Sequence, residues 1–248
     1  MRFHWFHLMP YPFLPDDFKQ KYRSVWVDVP MQKPHPPIWI PGGGSIETWD
    51  FCLTYDYMYS YLSYYGYKRA QQIMEGFWHR VAERGKDANP YRAGYAQIVV
   101  VADNDQEAER LYGPHIDYFF NRCLHVYPGF ADAPGYRTQA TLRAGFVPQV
   151  GGAASALRAQ LTWKDFIEHG FVIAGSAATV RETLRHAITD MRVGHLMLLL
   201  QMGDLPDALA RENTQRFAHD VMPHLKDLWS EYEDRWYPAP WTTKEVTA

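Results

Sequence analysis

The chain has 248 residues, of which 47% are apolar, 21% charged and 16% aromatic. That composition excludes wholesale disorder, and the length is enough to bury a core without disulfide staples. With 25 basic and 28 acidic side chains the formal charge is −3, which offers no electrostatic footprint for nucleic acid. Two cysteines, Cys52 and Cys123, cannot form a disulfide framework and suit a reducing compartment. No apolar run approaches the about 20 residues of a membrane span, and Met1-Arg2-Phe3-His4-Trp5 does not open like a signal peptide. The expectation is a soluble cytoplasmic protein that binds neither membrane nor nucleic acid.

In chain order, Arg2 to Met9 is short, aromatic and apolar, and reads as an opening core strand. Pro10, Pro12 and Pro15 break it, and 16–22 predicts a short helix. The stretch Pro30-Met31-Gln32-Lys33-Pro34-His35-Pro36-Pro37 is extended, because each proline restricts the residue before it. Ile38-Trp39-Ile40 is a short strand ending in Pro41-Gly42-Gly43-Gly44-Ser45. Ser45 is placed as an N-cap for a helix over 46–55. Residues 57–62 predict the next strand.

Residues 67–84 predict a helix, with Ile73, Met74, Phe77, Trp78 and Val81 at helical spacing and Gly85 as its stop. Ala96 to Val101 is the strongest strand pattern in the chain. Asp103 with Gln106 signals a helix start, and 107–126 reads helical with a break expected at Gly113-Pro114. Residues 127–155 lack periodicity and are expected to form a loop or excursion. A short helix over 162–169, an extended piece over 171–174 and a helix capped by Ser176 follow. His195 to Gln201 is another buried strand. Residues 207–237 read helical, divided at Met222-Pro223, and 238–248 reads as a frayed tail.

Apolar strands alternating with helices predict a parallel sheet in a single α/β domain over 1–248. About 250 residues is the usual length of a (β/α)8 barrel, yet only five core strands are found, too few to close one.

Several residues are candidates for chemistry. Gly42, Gly43, Gly44 and Ser45 lie between a strand and a helix, where glycines admit a phosphate to the backbone and the helix N-terminus offers N–H groups. The same residues also suit a tight turn with an N-cap. His7 and Met9 end the first predicted strand, the end at which a barrel places its functional groups. Tyr57, Tyr59 and Tyr61 share one strand face, with Tyr64 and Tyr65 close behind. Tyr59, Tyr61 and Tyr64 are candidates for an aromatic pocket wall, although ordinary core and interface packing is the favoured explanation. His195 opens a strand, where a structural role is expected. Cys52 and Cys123 are both expected to be buried packing residues. His4 and His7 are wrongly spaced for a metal pair on a strand, and no metal-ligand motif is present. No Gly-x-Ser-x-Gly, Walker or Rossmann pattern is found either.

The chain resembles the bacterial-luciferase-like flavin-dependent monooxygenases. The likeness is carried by six segments in order. They are Met1 to Pro10, Lys33 to Ser45, Tyr57 to Leu62, Val99 to Ala108, Ala174-Gly175-Ser176 with Val180, and Leu198 to Gly203 with Val221-Met222-Pro223. The resemblance implies a TIM barrel of the (β/α)8 type that retains strands 1 and 5–8. In the family a long block follows the first strand, with strands 2–4, their helices and a Glu-His-His stretch that supplies the active-site histidine. Here Val27-Asp28-Val29-Pro30 runs almost directly into Gln32-Lys33-Pro34-His35, so an internal deletion is placed near Pro30 and Met31. The resemblance further implies an FMN phosphate at Gly42 to Ser45 and the isoalloxazine ring beside His7 and Met9. It implies reduced FMN supplied by a reductase, with O2 as co-substrate for oxidising an organic molecule. A barrel missing three strands has exposed edges, so the chain is expected to self-associate. Two alternatives stay open: a non-catalytic remnant or subunit that acts by association, and a flavin or phosphate-ligand binder without turnover.

Overall fold

A computed structural model of the chain describes residues 1–5, 37–62, 66–123 and 161–237. The predicted helix over 16–22, the junction near Pro30 and Met31, the excursion over 127–155 and the tail from 238 lie outside the described residues. Within them, one parallel sheet contains β1 (Arg2–Trp5), β2 (Trp39–Gly42), β3 (Met58–Leu62), β4 (Ala93–Ala102), β5 (Val172–Ser176) and β6 (His195–Leu199). The helices are α1 (Ile46–Tyr55), α2 (Gly66–Glu83), α3 (Asp105–Tyr118), α4 (Trp163–Glu168), α5 (Ala177–Met191) and α6 (Asp207–Arg216). The strand order is β1-β6-β4-β3-β2, with β5 also on β4. Among the described residues nothing pairs with the outer edges of β1 and β2, so the sheet is open and the barrel incomplete, as expected. The five predicted core strands are all present, and β5 adds to them as a branch.

Sequence chemistry explains most boundaries. Gly85 ends α2 at φ +64°, with Lys86 N–H bonded to Val81 O and Gly85 N–H to Ala82 O, which is a Schellman ending. Ser176 caps α5 by accepting from Thr179 N–H at 3.1 Å. Thr162 and Asp165 form a capping box on α4. Three expectations are corrected. The cap of α3 is Asn104, not Asp103, with Glu107 N–H donating to its Oδ1 at 2.9 Å. Gly113-Pro114 does not break α3; the helix continues and turns π-helical over 119–123. Residues 207–237 are not helical throughout: the chain divides at Met222-Pro223 as expected, passing from π to 3-10 geometry, but 226–237 forms turns and bends.

The sheet has two packed faces. On one, Tyr59, Tyr61, Tyr95, Val99, Val101 and Leu198 meet the apolar stripes of α1, α2 and α5, including Trp49, Phe77 and Leu184. On the other, Ala96, Ile98, Val100 and Leu199 meet α3 and α4 through Tyr112, Ile116, Phe120 and Phe166. β4 lies between these layers and is buried at every position. Its first half pairs with β3 and β6, and its second half with β5.

Where β6 stops, a side chain takes over. Asn213 of α6, wholly buried, donates to Val99 O at 2.9 Å and Leu200 O at 3.0 Å, and accepts from Val101 N–H at 2.8 Å. Asn213→Leu strands those three backbone groups, so a loss of roughly 2–4 kcal/mol is expected. Urea unfolding reads it as a lower midpoint at an unchanged slope; a loss below about 1 kcal/mol would show that the carboxamide is dispensable.

α1 and α2 are tied by Asp50, which accepts from Arg80 at 2.7 and 2.8 Å and from Arg84 at 3.0 Å. The Arg80 guanidinium, followed by Arg84, lowers the Asp50 carboxyl from 3.8 to about 2. A depressed carboxyl stabilises the fold fully above its unfolded value, and that stabilisation fades as pH falls through the folded value. The pair is part-exposed, so Asp50→Asn is expected to cost about 1 kcal/mol at pH 7. The gap between wild type and variant should close between pH 4 and 2, as read by thermal melts across that range.

Candidate phosphate loop and strand ends

The C-terminal ends of β2, β3, β4 and β6 point the same way, because every pairing is parallel. Functional groups of such a sheet gather there. The glycine loop sits at that edge, between β2 and α1. Its three glycines have different reasons to be glycine. A Cβ on Gly42 would stand 3.1 Å from Tyr59 Cε2 and 3.2 Å from Thr48 Cγ2. Gly44 has φ +106°, and its Cβ would stand 3.2 Å from Ile73 Cγ2. Packing and backbone conformation therefore account for both. Gly43 has no such reason: a Cβ there meets nothing within 4 Å. Its backbone is open to an approaching ligand.

Ser45 has the extended backbone of an N-cap, but its side chain does not cap α1. Its hydroxyl donates to Glu47 Oε2 at 2.7 Å instead, which corrects the expected capping role. Ser45 is thus not the side-chain acceptor of the helix start, and the Glu47 carboxylate stands beside it. A phosphate arriving there would meet the positive end of the helix and would have to displace Glu47 from Ser45.

Tyr59 and Tyr61 share a face, as the period-two spacing predicts, but it is the helix-covered face. They are 0% and 1% exposed, inside the core against Trp49 and Phe77. Tyr59 stacks on Phe77 at 5.0 Å, and its hydroxyl donates to Gly42 O at 3.0 Å. Burial pushes its phenol well above the usual range. Neither tyrosine lines an open pocket; Tyr59 supports the glycine loop from beneath. Spacing shows which residues share a face, not which face the helices cover. His7, Met9 and Tyr64 lie outside the described residues.

His195 is buried at the opposite, N-terminal end of β6, with its Nε2 3.1 Å from Tyr91 O and its ring edge-on to Trp39. That placement is structural, as expected. Cys52 is buried, and burial raises its thiol to about 12. Cys123, at the end of the π-helical turn after α3, is exposed, contrary to expectation. Among the described residues no group of three or more metal-ligating side chains occurs, and no helix is long and apolar enough to cross a membrane.

Folding also assembles a pair that no sequence spacing signals. His115 of α3 and Asp204, in the segment after β6, bring Nδ1 and Oδ1 to 2.8 Å. An imidazole oriented by a carboxylate can hold or pass a proton. The two residues are 89 positions apart, so only the fold reveals them.

An open parallel α/β sheet with a glycine loop at its C-terminal edge is what part of a barrel presents. The family is narrower. A model of the luciferase-like monooxygenase family matches residues 15–193, well over half of the chain. The chain belongs to that family. Two solved structures share the fold. The oxygenating constituent of 3,6-diketocamphane monooxygenase from the CAM plasmid of Pseudomonas putida, a type II Baeyer-Villiger monooxygenase in complex with FMN, is 19% identical with a TM-score of 0.53. The match covers 76% of this chain and 49% of that one. Monooxygenase RslO1 from Streptomyces bottropensis is 13% identical with a TM-score of 0.51, over 78% of this chain and 49% of that one. The chain thus spans about half the length of these relatives. No curated protein matches it.

The glycines can be separated by stability. Gly44→Ala is expected to lose at least about 1 kcal/mol, from its positive φ and the Ile73 contact, while Gly43→Ala stays within about 0.5 kcal/mol of wild type. Chemical denaturation of the two variants side by side checks this. Equal losses would mean that Gly43 too is held by packing.

Proposed function

We propose that the chain binds FMN with its phosphate at Gly42 to Ser45 and serves as a flavin-dependent monooxygenase that oxidises an organic substrate. The observation that carries this is Gly43, which is exposed with open space about its Cβ position just before the start of α1. In support, the family is that of luciferase-like monooxygenases, and a solved structure of the same fold is an FMN complex. When bound and reduced, flavin supplies the electrons for oxygen chemistry, while the protein must orient it and keep water away.

In this reading the N–H groups of the loop and the first turn of α1 hold the phosphate. Tyr59 fixes the carbonyl of Gly42 from below. His7 and Met9 border the ring, Tyr64 faces the substrate, and a separate reductase supplies reduced FMN in the cytoplasm. Dimer formation completes the assembly.

Flavin titration followed by fluorescence quenching tests the phosphate contact. FMN is expected to bind at least about tenfold more tightly than riboflavin, a difference of about 1.4 kcal/mol. Gly43→Val should remove that preference without unfolding the chain. Equal affinity for the two flavins would overturn the assignment. The open sheet favours a second reading, in which FMN binds without turnover. That reading expects bound reduced FMN to reoxidise in air as fast as the free cofactor.

A further inference from the structure

A phosphate loop needs a backbone N–H that points out of it, and in this chain a buried side chain settles that direction. Gly42 is the last residue of β2, in register with Tyr61. Met58 N–H bonds to Ile38 O, and alternation along the ladder turns the carbonyl of Gly42 toward β3. Tyr59 reaches the same carbonyl from the helix-covered face, its hydroxyl donating to Gly42 O at 3.0 Å. A planar trans peptide sets N–H and C=O in opposite directions, so the N–H of Gly43 points away from β3 and the core. Gly43 is exposed, with nothing within 4 Å of its Cβ position.

This orientation has to be held. The last rung of a ladder opens more easily than those inside it. A peptide between two glycines also turns over at little steric cost, because glycine accepts positive and negative φ alike. Turned over, it would present the Gly42 carbonyl oxygen to an incoming phosphate, and the like partial charges would repel. No stiffer residue can replace Gly42, since a Cβ there would stand 3.1 Å from Tyr59 Cε2. The ring that excludes a side chain at Gly42 thus also supplies the bond that steadies its peptide. That ring has little freedom of its own: it is wholly buried, stacks on Phe77 at 5.0 Å and meets Trp49 edge-on at 6.2 Å. Burial keeps its phenol protonated, so the hydroxyl stays a donor.

We infer that Tyr59 is a positioning residue for anion recognition: by holding the Gly42–Gly43 peptide one way over, it presents the Gly43 N–H to the ligand's phosphate and makes the loop prefer a phosphorylated flavin to an unphosphorylated one. The inference rests on the FMN reading and adds to it a residue that never touches the cofactor. Packing alone would be served as well by phenylalanine. The hydroxyl is what the loop requires.

Tyr59→Phe keeps the ring and removes only the hydroxyl. Tyr95→Phe is its control, because the Tyr95 hydroxyl is buried on the same face of the sheet without a hydrogen-bond partner among the described residues. Titration of the full chain with FMN and with riboflavin gives the ratio of the two affinities. Tyr59→Phe is expected to weaken FMN about three- to tenfold, the worth of one hydrogen bond, and to leave riboflavin within about twofold. Tyr95→Phe should leave the ratio unchanged. A second measurement needs no variant: with 15N-glycine labelling, the Gly43 amide resonance of the wild-type chain should move on adding FMN and stay in place on adding riboflavin. A preference for FMN that persists in Tyr59→Phe overturns the inference and leaves the FMN reading standing. An equal loss for both flavins, or a Gly43 amide that responds alike to both, does the same. A wild-type chain that shows no preference overturns the FMN reading and this inference together.

Discussion

The structure depends on satisfying the backbone of one strand. β4 is ten residues long and buried throughout, while β3, β5 and β6 have five residues each. No neighbour can pair along all of it. A buried strand cannot leave its N–H and C=O groups to water, so side chains complete the accounting. Asn213 does this beyond the end of β6. Gln97 does it where β3 gives way to β5, donating to Phe171 O at 3.0 Å and Ile98 O at 3.1 Å. Asn213 reaches β4 from α6, while Gln97 reaches from within β4 to the chain that leads into β5. They let the strand carry two different cores on its two faces, one under α1, α2 and α5 and the other under α3 and α4. The cost is visible nearby, since Gln97 Oε1 and Tyr95 Oη are buried without a hydrogen-bond partner among the described residues.

Much of this fold was legible because local rules and tertiary packing agree. α1 runs over the predicted 46–55, and Gly85 and Ser176 end and start helices as their backbone chemistry requires. The misreadings have physical causes. β4 begins at Ala93 rather than Ala96 because Ala93-Gly94 has weak strand propensity, and burial rather than propensity extends the strand. Gly94 is needed there: a Cβ would stand 2.9 Å from His195 O and 3.1 Å from Trp39 Cζ3. Pro114 stays helical because Ala108, Tyr112 and Ile116 anchor α3 on both sides of it. Burial outweighed a local penalty in both places.

The site was less legible than the fold. A run of three glycines looks like one signal, yet the structure divides it into two glycines explained by packing and one that is not. Serine before a helix suggests a cap, but Glu47 two residues on competes for the hydroxyl. The tyrosines are aromatic wall candidates by composition and core by position. Tyr59 alone connects the two descriptions, since it is buried under the loop and hydrogen-bonded to it. The His115–Asp204 pair had no sequence trace because its members sit on elements that only the sheet brings together.

An incomplete barrel separates two tasks that a closed one performs together. Holding a phosphate is local: a loop, a helix start and the residues beneath them suffice, and all of these lie within 42–73. Enclosing a reactive ring is not local, because it needs walls on every side of the strand ends. On the proposed reading, the described residues provide the phosphate end and one wall. On the proposed reading, cofactor affinity should therefore survive better than protection from water. The exposed aromatic flank of α1, at Phe51 and Tyr55, is a consequence of the same geometry. It stands where a closed barrel would place its next helix.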